Sequence, residues 1–207
     1  MTAIYHITHI DNLPGILAEA GLWCDNARKA KELDAIGIAH DHIKQRRARK
    51  NVPIGKKGTL ADYVPFYFAP RSPMLYALYR GQVQGYNGTQ QNIVHLTSSV
   101  EAVIQQTMPF VFTDGHAVMD FSEFFNDISD LSKVDWKIMK EIYWRDTNED
   151  GDRTRRRQAE FLVHRFFPWS LVTEIGVMTD RANRQVMDKL QGADHLPQVV
   201  VRRDWYY

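Results

Sequence analysis

The chain has 207 residues, 44% hydrophobic and 25% charged, with a formal net charge of +1 at pH 7, which predicts one domain, residues 1–207, able to bury a core. A net charge this small excludes a protein that is basic over its whole surface, so a nucleic-acid interface would need local clusters of basic side chains. A single cysteine, Cys24, excludes an internal disulfide framework and a cysteine-rich zinc site, and it fits a reducing cytoplasm.

The first residues carry no basic leader followed by an apolar run, and no stretch reaches the ~20 apolar residues of a membrane span, so we expect a cytoplasmic protein with no membrane contact. Residues 3–10 are rich in β-forming side chains and predict a strand. A helix should follow, capped by Asp11 or Asn12, with Pro14 in its first turn and Gly21 at its end.

The middle of the chain alternates polar and apolar segments. Residues 26–50 are expected to be helical or irregular, and residues 51–58, with one proline and two glycines, predict a loop. The aromatic run at residues 63–68 predicts a buried strand, and a helix should start at Ser72 and continue to Tyr79.

The second half of the chain predicts further short strands, at residues 92–98, 110–113, 159–164, 171–177 and 198–202. Residues 121–140 are expected to be helical in pieces, and residues 144–157, which are polar and charged, to form an exposed loop. Short strands with helices between only some of them predict an α+β fold rather than a regular βαβ repeat.

Basic residues cluster twice. Residues 44–57 contain seven lysines and arginines and no acid, and residues 153–165 contain five arginines and one acid, Glu160. A nearly neutral protein can therefore still present a basic groove, although a charged, solvated face is an equally good interpretation of the second cluster.

The common nucleotide and metal motifs are absent, including GxGxxG, the phosphate loop and HExxH. None of the eight histidines forms a convincing metal-binding pair, so we expect no metal.

Glu160 is the most informative acid, because it lies between the arginine run and an apolar strand. Residues two apart in a strand face the same way, so Gln158 and Glu160 would point into one cleft from the rim of a sheet. Spacing alone favours another interpretation, in which Glu160 lies at a strand edge and pairs with a nearby arginine.

Three segments together resemble ADP-ribosyltransferases. Residues 5–8 resemble their first strand, residues 65–76 resemble their central strand and following helix, and Gln158-Ala159-Glu160 resembles their acceptor-recognition turn. The blocks that carry the closest likeness are YHITHIDNL, DYVPFYFAPRSPMLYA, PFVFTDGHAVM, RRRQAEFLVHRFFPW and DWYY. They resemble the DarT family, bacterial toxins paired with a DarG antitoxin, from about residue 4 onward.

This resemblance implies an ADP-ribosyltransferase split central β-sheet with flanking helices. It implies NAD-dependent ADP-ribosylation of thymine in single-stranded DNA, with NAD as substrate, and a macrodomain antitoxin (DarG-like) that removes the modification. Glu160 would be the catalytic carboxylate. The family pattern has an arginine before a Val-Pro step where this chain has Asn51, so Asn51 is a catalytic and NAD-binding candidate whose missing charge would weaken activity, unless Arg49 or Arg47 fills the role.

The other implied contacts fall into two sets. The residues expected to bind NAD are His6, Ile7, Thr8, Gly15, Leu22, Tyr67 and Ser72. Those expected to bind the DNA are Gln158, Tyr76, Tyr79, Arg80, Trp144, Arg145, Thr154, Arg155 and Arg157. Two other functions stay open: a protein ADP-ribosyltransferase, and a catalytically weak DNA-binding module of the same fold, which Asn51 favours.

Overall fold

The computed structural model describes residues 1–207 and contains ten β-strands and eight α-helices. The strands are β1 (Ala3–His9), β2 (Gly21–Trp23), β3 (Tyr63–Tyr67), β4 (Ile93–Ser99), β5 (Phe110–His116), β6 (Phe124–Phe125), β7 (Ala159–His164), β8 (Phe166–Pro168), β9 (Glu174–Val177) and β10 (Gln198–Val201). The helices are α1 (Leu13–Ala18), α2 (Asp25–Ala30), α3 (Asp41–Arg49), α4 (Pro73–Tyr79), α5 (Val100–Gln105), α6 (Trp136–Lys140), α7 (Arg153–Arg156) and α8 (Asp180–Lys189). None of these helices has the length and the apolar character that a membrane span requires.

Eight strands form one sheet in the order β10-β9-β4-β1-β3-β7-β5-β6, and β2 and β8 form a separate two-stranded sheet. The large sheet is antiparallel except for the parallel pair β9 and β10. This arrangement confirms the predicted α+β class.

The large sheet is split near its middle. Strands β1 and β4 pair through seven register positions and β3 and β7 through five, but β1 and β3 share the single pair Tyr5–Tyr67. The two halves therefore part along β1 and β3, which confirms the predicted split sheet and opens a cleft between these strands.

Strand β7 is buried along almost its whole length, because helices and loops cover both faces of the sheet at its centre. Phe161 packs beside Phe66 of β3 and Phe112 of β5 in the largest hydrophobic cluster. Glu160 belongs to this strand and is only 3% exposed. The expectation that Glu160 sits at the rim of the sheet is therefore wrong.

The predictions for helices α1 and α4 have different outcomes. The predicted helix from Ser72 to Tyr79 is confirmed as α4, and Ser72 is its N-cap, since the Ser72 hydroxyl accepts a hydrogen bond from the Leu75 amide at 3.1 Å. Asn12 makes no capping bond, and α1 ends at Ala18 instead of Gly21. Gly21 instead starts β2, where a Cβ would lie 2.3 Å from the Phe167 carbonyl oxygen of β8.

Two later segments also test the sequence prediction. Residues 121–140 are helical in pieces as predicted, with the 3₁₀ turns of Ile128–Lys133 and helix α6, and the short strand β6 is an addition that was not predicted. Residues 144–157 are not an exposed loop throughout, because Trp144 and Arg157 are buried at its ends and α7 forms near its end.

Candidate active site

A pocket of about 250 Å³ occupies the cleft where the sheet splits. Strands β1 and β3 supply one wall, helix α3 supplies a second, and residues 33–39 cover part of the opening. The pocket reaches the buried Glu160 of β7, so this carboxylate is accessible from the cleft.

Glu160 is held by three donors from different parts of the chain. Arg47 Nη1 donates to Glu160 Oε2 at 2.6 Å, and the amide of Ala117 donates to Glu160 Oε1 at 3.2 Å. His116 Nδ1 lies 3.4 Å from the same Oε1. The carboxylate is therefore fixed in one orientation before any substrate arrives.

These donors decide the charge of Glu160. Burial alone would raise the pKa of the Glu160 carboxyl, but the positive charge of Arg47 and the hydrogen bond from His116 outweigh it and lower the pKa to about 2. Glu160 is therefore an anion at neutral pH.

Arg47 projects from the last turn of α3 and stays a cation. Burial would lower the pKa of its guanidinium, but the charge of Glu160 outweighs this effect and raises the pKa. Its Nη2 is buried without a hydrogen-bond partner. Since an unpaired buried donor costs about 1–3 kcal/mol, the site has a charged donor ready for a bound acceptor.

Strands β1 and β3 supply two polar rings to the same pocket. His6 Nδ1 lies 2.8 Å from the Pro65 carbonyl oxygen, which only accepts, so Nδ1 carries the proton and Nε2 is a free acceptor. Burial lowers the pKa of His6, which favours this neutral ring. Burial and the charge of Glu160 raise the pKa of Tyr67, so its phenol keeps its proton as a donor.

Most of the predicted NAD-binding residues meet in this pocket. It is lined by His6, Ile7, Thr8, Gly15, Leu22 and Tyr67, together with Glu160. Ser72 is absent from the lining: its side chain caps α4, and its carbonyl oxygen accepts from the Tyr207 hydroxyl at 3.4 Å.

Asn51 does not lie where the sequence prediction puts it. It is exposed, pairs in an isolated bridge with Thr59 and does not line the pocket. The reason is that α3 ends at Arg49, so Asn51 lies beyond the helical turn that faces Glu160. Arg47 supplies the cation in this site, and a missing charge at Asn51 leaves no gap in it.

The predicted DNA-binding residues separate into an exposed and a buried set. Tyr79, Arg80 and Arg145 are exposed. Arg145 Nη2 donates to the Tyr76 hydroxyl at 2.6 Å, and its guanidinium carbon lies 5.6 Å from the centroid of the Tyr76 ring. Gln158 is half-buried and donates to the Thr154 carbonyl at 3.1 Å. The exposed set offers cations and aromatic rings on one surface.

Three of these residues are held inside the protein. Arg157 is 4% exposed and donates to the carbonyl oxygens of Arg71 and Ile138. The guanidinium of Arg155 pairs with Asp114 and Asp152. The indole of Trp144 is buried and donates to the Tyr207 hydroxyl at 2.9 Å. Their donors are already satisfied, so the prediction that they contact DNA is not supported by this geometry.

Sequence reasoning missed His116 altogether and weighed Arg47 only as a substitute. The helical period contains the missing signal for Arg47: Ile43 and Arg47 lie four residues apart on one face of α3, and both line the pocket. Nothing in the local sequence links His116 to Glu160, because their contact depends on the register of β5 against β7.

Comparisons with known proteins show the family of the chain. Residues 5–207 match the family described as ssDNA thymidine ADP-ribosyltransferase, DarT. The DNA ADP-ribosyl transferase of Thermus sp. (strain 2.9) is 46% identical over 208 residues, which cover 100% of this chain and 96% of that protein. Two solved structures of Thermus sp. 2.9 DarT superpose over 100% of this chain, one with ADP-ribosylated ssDNA (TM-score 0.93, 45% identity, 96% of that chain) and one with NAD+ (TM-score 0.89, 43% identity, 98% of that chain).

A fourth match is a fusion. The DNA ADP-ribosyl transferase-DNA ADP-ribosyl glycohydrolase fusion protein of Thermosipho africanus (strain H17ap60334) is 30% identical over 162 residues, which cover 77% of this chain and 38% of that protein.

Proposed function

The chain belongs to the DarT family, and from this premise we propose that it transfers ADP-ribose from NAD to a thymine base in single-stranded DNA. The observation that carries the proposal is the buried pair of Arg47 and Glu160 at the bottom of the cleft, with Arg47 Nη2 still free to donate. A carboxylate and a cationic donor, fixed side by side, suit a reaction in which positive charge develops on one reactant and negative charge on the other.

We assign the stabilisation of the developing positive charge to Glu160. When the bond between the ribose C1′ and nicotinamide breaks, the nicotinamide leaves with the electron pair and the ribose acquires oxocarbenium character. An ionised carboxylate near the ribose stabilises that charge without reorganising, because its donors already hold it in place. The low pKa of Glu160 keeps it ionised throughout the neutral range.

We assign the stabilisation of the negative charge that develops on the base to Arg47. The attacking thymine nitrogen forms the new bond to C1′ while its proton passes to solvent water. Because proton loss runs ahead of bond formation, the base gains anionic character as it reacts. A guanidinium donor beside it forms a charge-assisted hydrogen bond, which is roughly twice as strong as a neutral one. The raised pKa of Arg47 means that it acts here as a cation.

His6, Thr8 and Tyr67 are proposed to hold NAD. The free Nε2 of His6 can accept from a ribose hydroxyl, and the Tyr67 phenol can donate to the nicotinamide carboxamide. No metal is needed in this scheme, since the carboxylate and the guanidinium supply both charges.

The exposed residues Tyr79, Arg80 and Arg145, together with the half-buried Tyr76, form the set that is proposed to bind the single strand next to the reactive base. Cations of this set would contact phosphates while the rings stack on bases. An unpaired base is required because the reactive nitrogen is engaged in base pairing in a duplex.

A reversible modification of DNA bases would suit a toxin that is kept in check by a partner enzyme. The relative fused to a DNA ADP-ribosyl glycohydrolase supports this view, because it places a transferase and a modification-removing enzyme in one polypeptide. We propose that this chain works as the toxin of such a pair, with a macrodomain antitoxin of the DarG type as its partner, in the cytoplasm.

The decisive experiment is mass spectrometry after incubation with NAD, a mixed-sequence oligonucleotide and a carrier protein. We expect the added mass of one ADP-ribose on thymine-containing oligonucleotides. ADP-ribose on the carrier protein alone would favour a protein ADP-ribosyltransferase. Oligonucleotide binding without any transfer would favour a catalytically inactive DNA-binding module.

A further inference from the structure

Residues 33–39, here called the strap, cross the mouth of the pocket without regular secondary structure. All seven residues line the pocket, and the middle of the strap, residues 34–37, is exposed on its outer side. The strap is therefore a thin cover between the pocket and solvent.

The strap is held at its centre by one side chain. Asn12 Nδ2 donates to the Ile36 carbonyl oxygen at 3.1 Å, and the Ile36 amide donates to Asn12 Oδ1 at 2.8 Å. From residue 34 to residue 39 the backbone makes no other hydrogen bond within the protein. The position of the strap over the pocket thus depends on this two-point contact.

The same amide also touches the floor of the pocket. Asn12 Nδ2 donates to Thr8 Oγ1 at 3.0 Å, and Thr8 belongs to β1 and lines the pocket. The outer ends of the strap have separate anchors: the Leu33 amide donates to the Arg28 carbonyl at 3.0 Å, and Ile38 packs against a hydrophobic cluster that includes Ile7. Asn12 is therefore the link between the floor and the centre of the cover.

Asn12 has no competing role in the helix that follows it. It occupies the N-cap position of α1 but makes no capping hydrogen bond. Asparagine is a preferred N-cap residue because its side chain accepts from the helix amides. Here the amide group is directed to the strap, which points to a role at the pocket.

We propose that Asn12 is a positioning residue for NAD, which fixes the strap against the pocket floor so that Ile36 closes over the bound dinucleotide. This inference rests on the proposed function for the identity of the ligand, but the two hydrogen bonds between Asn12 and Ile36 are a property of the NAD-free protein. A pre-fixed cover lowers the ordering cost of binding, so its loss acts on affinity for NAD and spares the charges at Arg47 and Glu160.

The test compares Asn12→Leu with Asn183→Leu. Leucine keeps much of the size of asparagine and removes every hydrogen bond. Asn183 of helix α8 is a matched control, because it is also half-buried and lies away from the pocket. Its side-chain amide likewise donates to a backbone carbonyl oxygen, that of Val199, at 3.2 Å.

Three measurements separate the outcomes. In hydrogen exchange of the NAD-free protein, the Ile36 amide should exchange faster in Asn12→Leu and at the wild-type rate in Asn183→Leu. In titrations and transfer assays, Asn12→Leu should raise the Kd and the KM for NAD by on the order of tenfold, with kcat nearly unchanged.

Unchanged exchange of the Ile36 amide in Asn12→Leu would overturn the claim that Asn12 fixes the strap. Faster exchange with an unchanged Kd and KM for NAD, or a loss confined to kcat, would overturn the positioning role. A wild-type protein that transfers nothing to DNA would overturn the proposed function, while the exchange and NAD-titration results would still decide the role of Asn12.

Discussion

Arg47 and Glu160 lie 113 residues apart in the sequence, yet Arg47 Nη1 and Glu160 Oε2 are 2.6 Å apart inside the protein. Their side chains are 11% and 3% exposed. Removing one partner of a buried ion pair leaves the other charge uncompensated, which costs about 3–5 kcal/mol. This pair therefore joins α3 to the centre of the sheet as well as forming the proposed catalytic pair, and mutations in it affect both stability and activity.

Glu160→Gln is the first test of the mechanism. It keeps the shape of the side chain and its place among the neighbouring groups, but it removes the negative charge that stabilises the ribose cation. We expect transfer to fall on the order of 10²–10³-fold, with unchanged circular dichroism and a lower melting temperature, because Arg47 loses its counter-ion. Transfer at the wild-type rate would refute the role of Glu160.

Acid pH should weaken the fold through the same group. Because the pKa of Glu160 is lowered from 4.5 to about 2 in the folded state, its ionisation contributes stability that is fully present above about pH 4.5 and is lost as the pH falls towards 2. The difference in unfolding free energy between the wild type and Glu160→Gln should therefore be constant from pH 7 to 5 and shrink below that. Urea unfolding at several pH values measures it. A difference that stays constant down to pH 3 would contradict the assigned pKa direction.

The sequence predicted the fold better than the site. Dense β-forming and apolar side chains correctly predict strands β1, β3 and β7, and Ser72, a preferred N-cap residue, correctly predicts the start of α4. Strands β2 and β8 escaped prediction, because three-residue strands carry too short a pattern to read.

Within the site, residues next to recognisable motifs were found and those brought in by tertiary structure were not. His6, Tyr67 and Glu160 belong to motif-bearing strands. His116 reaches Glu160 only through the pairing of β5 with β7, where the register shifts between Phe112 and His116. Charge clustering likewise could not separate Arg157, which is buried against backbone carbonyls, from Arg145, which faces solvent.

This contrast gives a paired prediction for two arginines. Arg157→Ala should lower the melting temperature strongly, because two buried carbonyl oxygens, those of Arg71 and Ile138, lose their charged donor. Arg145→Ala should leave the melting temperature unchanged and weaken binding of single-stranded oligonucleotides, with a salt slope smaller by about 0.7 for one lost phosphate contact. Thermal melts and binding at several salt concentrations test both. An Arg145→Ala variant with the wild-type slope would remove Arg145 from the DNA surface.

The last prediction concerns which residue of the basic segment supplies the cation. Arg47 lines the pocket and contacts Glu160, whereas Arg49 and Asn51 are exposed outside it. We therefore expect Arg47→Ala to reduce transfer by about 10²-fold or more, as for loss of a donor to a developing anion. Arg49→Ala and Asn51→Arg should both keep the wild-type rate. This prediction replaces the sequence-based expectation that the missing charge at Asn51 weakens activity.

Arg47→Lys makes the test specific to the guanidinium. Lysine keeps the positive charge that Glu160 requires, so the fold should melt near the wild-type temperature. It cannot offer two fixed donors, one to Glu160 and one to the base, since its ammonium is a single point charge on a flexible chain. Arg47→Lys should therefore be folded but slow, with a larger effect on kcat than on the KM for NAD. Full activity in Arg47→Lys would mean that charge alone is enough. A large gain in the transfer rate of Asn51→Arg would mean that residue 51, and not Arg47, is the position of the catalytic cation.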